Sequence, residues 1–294
     1  MPYLLIVSLI WAFSFGIIGS TLVSIPSMLV AFLRLAIAAL VFLPWARRVP
    51  LWLGVRLMAL GMVQFGLMYF FYHAAFFGLR SHEVALYTIT TPLYVVLIND
   101  IATRTFHPRY WVIAVVALIG SVLIVGTGSH PWAFVRQSFV CLQIANLCFA
   151  AGQLYYRHLM KTTPHRDVHL FFWVYLGAVL LLFLTLFLRH ALFSSSPLSM
   201  FFAHFRFMPA LITPRQWLAL LYLGVIASGL SFFLWNIGSR KVSSPGILAV
   251  MNNLKIPLGV AVSLLLFKEH ASLPSLLAGS LLFLAALLAG DRKK

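Results

Sequence analysis

Acidic residues are nearly absent. The 294-residue chain has five, Glu83, Asp100, Asp167, Glu269 and Asp291, against 21 Lys and Arg. Charged residues of either sign make up only 9% of it. A soluble domain of this length needs far more charge on its surface, so that class is excluded. Enzymes that hydrolyse or transfer groups gather carboxylates or histidines at one place. Five scattered acids do not supply such a cluster, and no enzyme activity is expected. No glycine motif for phosphates or dinucleotides occurs, and no Cys/His spacing fits a zinc site. Neither cofactor nor metal is expected. Cys141 and Cys148 lie seven residues apart on one expected helix. That is roughly 10 Å along its axis, too far for a disulfide.

What is present is apolar. Hydrophobic residues are 62% of the chain and the mean hydropathy is +1.00. Runs of about 20 apolar residues, the length that crosses a bilayer as a helix, recur along the chain. They fall at roughly 3–20, 28–45, 54–77, 83–100, 109–127, 138–156, 168–188, 216–236, 244–267 and 273–290. The expected fold is an all-α polytopic membrane protein of ten transmembrane helices. The first run lacks a basic leader and a cleavage site, so it reads as a span rather than a signal peptide.

The net charge of +16 is spread between the runs, not gathered in a patch. It therefore points to membrane orientation rather than to nucleic acid. One side collects 13 Lys and Arg, among them Arg47, Arg48, Arg104, Arg157, Arg240 and Lys293. The other collects six, Arg80, Arg136, Arg189, Arg206, Arg215 and Lys268. The bias places both termini in the cytoplasm.

The chain also repeats itself. Gly61–Tyr72 matches Gly224–Trp235 at an offset of 163, and Phe13 and Gly16 match Phe149 and Gly152 at 136. The extra length falls in an insert at 189–213, which reads as surface-lying and partner to membrane lipid. Two five-helix repeats follow, 1–130 and 131–294. An odd number of spans per repeat inserts them with opposite orientation. Inverted repeats place a substrate site between the halves near the midplane.

Polar residues at that depth are the site candidates. Lys255 stands near the middle of 244–267, with Asn252 on the same helix face three residues earlier and Asn253 beside it. A substrate carboxylate would supply its missing counter-charge. Asn146 and Gln64 are mid-span amides that donate and accept together. The bland alternative is hydrogen bonding between helices. Trp11, Tyr87 and Trp235 are candidate cavity aromatics, drawn from a chain in which most aromatics pack or sit at interfaces. Tyr69, Tyr72 and Tyr94 belong to the same group. Arg34, inside the second span, is a further candidate for substrate contact. Glu83 is a candidate proton-coupling carboxylate, set against a first-turn Glu favoured by the helix dipole.

Several stretches carry a family resemblance. Trp11-Ala-Phe-Ser-Phe15, Phe32-Leu-Arg34-Leu, Thr91-Pro92-Leu93 and Lys268-Glu269 stand in the order and spacing of the drug/metabolite transporter superfamily, EamA type. The chain resembles that superfamily over nearly its whole length. Met62-Val-Gln64-Phe-Gly66-Leu-Met-Tyr69, Gln143-Ile-Ala-Asn146 and Met251-Asn252-Asn253 are similar to its branch of bacterial biotin transporters. The resemblance implies a secondary transporter of the bacterial inner membrane, taking up biotin or a similar small carboxylate by alternating access. Export of amino acids or related metabolites is the alternative. A membrane enzyme or scaffold is a remote one.

Overall fold

A computed structural model describes residues 2–105, 108, 132–193, 212–241, 262, 265 and 266. Every regular element among them is helical. In chain order they are α1 (Pro2–Thr21), α2 (Ser27–Phe42), α3 (Leu51–Gly61), α4 (Met68–Ala75) and α5 (Ser81–Tyr87), followed by α6 (Thr91–Thr103), α7 (Trp132–Leu159), α8 (Asp167–Phe193), α9 (Pro214–Leu221) and α10 (Ser231–Arg240). Six continuous helical stretches among the described residues are long and apolar enough to cross a membrane. This is a multi-pass membrane protein. The expected spans at 109–127 and 273–290 lie outside the described residues, as does 244–267 except for three positions. Asn252, Asn253 and Lys255 go with it, and so do residues 194–211 of the insert.

Helix starts follow local chemistry. Pro26 and Pro50 precede α2 and α3, where a missing N–H costs nothing. Thr213 and Gln216 form a reciprocal capping box, with Pro214 at the first helical position of α9. Both cysteines are free.

Two helices are interrupted by π winding at matching places. The stretch Leu51–Ala75 contains a π segment at Met62–Leu67, and Pro214–Arg240 contains one at Tyr222–Leu230. Both stretches start in the register given by the offset of 163. Their packing is reciprocal: α2 lies against the later π segment, while α8 lies against the earlier one. In the same way α1 packs on α10 and α7 on α4. Glycines allow the close approach. A Cβ at Gly61 would collide with the carbonyl of Val174 on α8. A Cβ at Gly224, in the equivalent register position, would come within 2.6 Å of Ile37 Cβ on α2. Small residues at such crossings let membrane helices pack tightly without a hydrophobic driving force.

The expected span at 83–100 is not one helix. It breaks into α5, a 3-10 turn at Thr88–Thr90 and α6. The run Thr88-Ile-Thr-Thr91 is β-branched and disfavours helix, and Pro92 removes the N–H that the carbonyl of Thr88 would use. Side chains fill the gap. Asn146 Nδ2 donates to Tyr87 O at 3.2 Å and to Thr90 Oγ1 at 3.0 Å. Thr90 in turn donates to Gln143 Oε1 at 2.6 Å. The break is held from α7 and brings Thr88 and Thr91 to the centre of the bundle.

Candidate functional site

The π winding decides where polar groups meet. In a π segment the N–H reaches five residues back, so the local carbonyls are not all taken in the α pattern. In hydrocarbon such groups need partners. Three successive carbonyls of the later π segment find them in distant side chains. Trp11 Nε1 donates to Ala227 O at 2.9 Å. The Tyr175 hydroxyl donates to Ser228 O at 2.6 Å and Gly229 O at 3.1 Å. These bonds fix Trp11 of α1 and Tyr175 of α8 on either side of the segment.

Arg34 reaches the same place from α2. It is 2% exposed. Its Nε donates to Ser228 Oγ at 2.9 Å, and its guanidinium lies 4.1 Å from the centroid of the Tyr69 ring. The Tyr69 hydroxyl is 3.2 Å from the same Ser228 Oγ. Nη1 is buried with no hydrogen-bond partner. No described residue offers Arg34 a carboxylate: the ion pair that Asp167 forms is with Arg240, at 2.7 Å. A buried charge without a counter-charge is costly. Stacking over Tyr69 offsets part of that cost. An anion at Nη1 would offset more, since charge-assisted hydrogen bonds are the strong ones.

Beside Arg34 lies a cavity in which water-molecule centres can occupy about 70 Å³. Its wall repeats one pattern. Three helices and the broken span each contribute a pair at i, i+3: Trp11 and Ser14, Tyr69 and Tyr72, Asn146 and Phe149, and Thr88 and Thr91. Residues three apart share a helix face. Ile18, Arg34, Met68, Ala145 and Phe232 complete the wall. Trp11 packs at 5.0 Å on Phe232 and 5.1 Å on Trp235, measured between ring centroids. The arrangement suits a flat, mostly apolar ligand with one acidic end and a few polar atoms.

The sequence candidates divide in this geometry. Arg34, Trp11 and Asn146 line the cavity. Asn146 also holds the broken span through its amide nitrogen, which leaves the amide oxygen as its acceptor. Gln64 and Trp235 do not line it. Gln64 Nε2 donates to Asn236 Oδ1 at 3.2 Å, and Trp235 Nε1 donates to Gln153 Oε1 at 3.0 Å. Together they form a packed polar layer between α3–α4, α7 and α10. Tyr87 is buried edge-on to Phe139, at 5.2 Å, away from the cavity. Glu83 Oε2 accepts from the backbone N–H of Arg80 at 2.7 Å, which is the first-turn capping role. Ser14, Met68, Thr88, Thr91, Phe149, Phe232 and Ser228 were not singled out by the sequence. The i, i+3 spacing of polar and aromatic residues inside apolar runs is a signal for Ser14, Thr88, Thr91 and Phe149, and the sequence holds none for Met68, Phe232 and Ser228.

The comparisons with known proteins agree with this architecture. Residues 1–126 match the EamA-like transporter family. A "Probable biotin transporter" of Pseudomonas aeruginosa is 35% identical over 98% of this chain and 96% of its own length. A "Biotin transporter" of Escherichia coli strain K12 is 35% identical over 98% of this chain and 91% of its own. One from Salmonella typhimurium is 33% identical with the same coverage. A crystal structure 17% identical in sequence aligns with a TM-score of 0.66 over 99% of this chain and 96% of that one. It shares the fold. With relatives this similar over their whole length, the chain belongs to the EamA-like transporter family.

Proposed function

We propose that this protein takes up biotin across the bacterial inner membrane by alternating access between two inverted five-helix repeats, with both termini in the cytoplasm. The observation that carries the reading is Arg34: a buried guanidinium with a free Nη1 and no described acidic partner, in the wall of an aromatic cavity. Biotin has complementary parts. Its valerate carboxylate pairs with Arg34. Its ureido ring offers N–H donors to the amide oxygen of Asn146 and a carbonyl to hydroxyls such as Ser14 or Thr91. Its thioether and alkyl chain lie against Trp11, Phe149, Phe232 and Met68. The biotin transporters that the chain resembles support the same substrate.

The reciprocal packing of α2 and α8 on opposite π segments supports the inverted repeat. The 13-to-6 basic bias supports the orientation. Lys255, with Asn252 and Asn253, is proposed as a second polar wall to the same substrate, from the span beyond the described residues. Two experiments test the reading. A biotin auxotroph without its own transporter should grow on low biotin when the protein is expressed. Purified protein should bind biotin over amino acids and nucleotide sugars. Membrane expression with no growth and no biotin binding would move the substrate to the alternative, export of amino acids or related metabolites.

A further inference from the structure

A second cavity, larger than the first, opens between the turn joining α1 to α2 and the connection joining α4 to α5. Water-molecule centres can occupy about 790 Å³ of it. Ile18 belongs to the walls of both cavities, so the two are neighbours. On the orientation proposed above, this larger cavity is the outer vestibule. Its wall includes Arg80, Ser27, Ser81 and His73.

His73 is the unusual member. It is 2% exposed, and its Nε2 is buried with no hydrogen-bond partner. Neutral imidazole buried in a bundle normally has both nitrogens engaged. Its ring is 5.8 Å from Tyr69 and 5.7 Å from Tyr72, centroid to centroid. Tyr69 also carries the Arg34 guanidinium on its ring. One aromatic ring therefore separates the cation of the substrate site from an imidazole in the vestibule wall. The charged groups around His73 are Arg34 on α2 and Arg80 across the vestibule. The titratable groups of its own helix are Tyr69 and Tyr72. From α7, which packs on α4, the ionisable side chains within the apolar stretch are Cys141, Cys148, Tyr155 and Tyr156. The carboxylate nearest this set among the described residues is Glu83, whose Oε2 accepts from the backbone N–H of Arg80 at 2.7 Å.

With Arg34 unoccupied, a proton on His73 would be repelled by the Arg34 guanidinium one ring away. With a carboxylate on Arg34, that repulsion is cancelled. We infer that His73 is the proton site of a symport, taking one proton from the outer vestibule when a carboxylate occupies Arg34 and releasing it with the substrate on the other side. This deepens the proposed function and rests on it. Charge balances: one anion and one proton cross together, Arg34 stays charged throughout, and net transport is electroneutral.

The test uses purified full-length protein in liposomes. Wild type should accumulate biotin when the outside is made acidic. A gradient of one pH unit holds about a tenfold ratio for an electroneutral symport. Accumulation should not respond to membrane potential, and a weakly buffered suspension should turn alkaline as biotin enters. His73→Gln should keep counterflow exchange of biotin, which needs no driving force, and lose the tenfold accumulation. Glu83→Gln should keep both. Biotin exchange by wild type without proton uptake would overturn the inference while leaving the proposed function standing. So would a His73→Gln protein that accumulates normally, or loss of coupling confined to Glu83→Gln. Failure of wild type to bind or exchange biotin at all would overturn both. If His73→Gln does not fold, His73→Asn takes its place: exchange kept with accumulation lost supports the inference, and normal accumulation overturns it.

Discussion

The two π-interrupted helices are built alike and are used differently. At the offset of 163, Tyr69, Tyr72 and His73 of α4 correspond to Phe232, Trp235 and Asn236 of α10. On α4 these positions border open space on both sides, the central cavity and the vestibule. On α10 only Phe232 reaches the cavity. Trp235 and Asn236 are fully buried, and each is hydrogen-bonded to a glutamine. The same backbone device thus carries hydroxyls and an imidazole at one end of the path, and indole and amide at the other. Arg34 adds to the imbalance. Its equivalent in the second half, at the offset of 136, is Leu170, a fully buried core residue. Alternating access needs two halves of similar shape. Among the described residues, only one of them puts a charge in the cavity wall.

The comparison can be broken or sharpened in steps of decreasing size. Gly61→Leu and Gly224→Leu should each leave no monodisperse protein after extraction in mild detergent, because both insert side chains into a helix crossing. Size-exclusion chromatography checks this. Tolerance at one position and not at the other would show that the reciprocity of the two crossings is only approximate. Arg34→Gln should come next. It removes the charge but keeps a donor, and should weaken biotin about a hundredfold, at the upper end of a charge-assisted hydrogen bond worth ~1.5–3 kcal/mol. Biotinamide, which has no charge, should lose little. Dissociation constants for acid and amide, in wild type and variant, decide it. Lys255→Met should follow, with a loss of about tenfold for the acid alone. Equal losses for acid and amide would make Lys255 a shaper of the cavity rather than a reader of the carboxylate.

The smallest effects belong to the packed end. Gln64→Leu or Asn236→Leu alone leaves a buried amide without its partner, and should cost about 1–3 kcal/mol of stability with biotin affinity nearly unchanged. The two together should cost less than either alone, because both polar groups are then gone. Thermal unfolding of the purified proteins measures this as a double-mutant cycle. A large loss of biotin binding in the single variants would draw the amide layer into the site.

Which parts were legible in the sequence follows from the range of the forces involved. Apolar runs of bilayer length announce themselves, so the long helices sit where hydropathy puts them. The break at Thr88–Thr90 was written in the Thr-Ile-Thr-Thr-Pro run, but its acceptance depended on Asn146 and Gln143 arriving from α7. The site was less legible for the same reason. Arg34 meets Ser228, and Gln64 meets Asn236, across more than half of the chain. An isolated amide in an apolar run looks the same whether it faces a ligand or another amide. The i, i+3 pairs of Trp11 and Ser14 or Tyr69 and Tyr72 carried the distinction between a face that packs and a face that lines a space.

A π segment contains slack. It fits one more residue into a turn than the α-helix around it does. If the segment Met62–Leu67 rewound as α, the helix beyond it would turn by about 100°, the angle of a single residue. Tyr69, Tyr72 and His73 would swing together like the bit of a key, while α3 kept its seat against α8. The segment Tyr222–Leu230 gives α10 the same freedom about α9. Each of the two stretches would then pivot within an apolar helix, next to the cavity wall. A passage could open or shut by rotation of one short rod, with no need to slide a whole repeat through the bilayer.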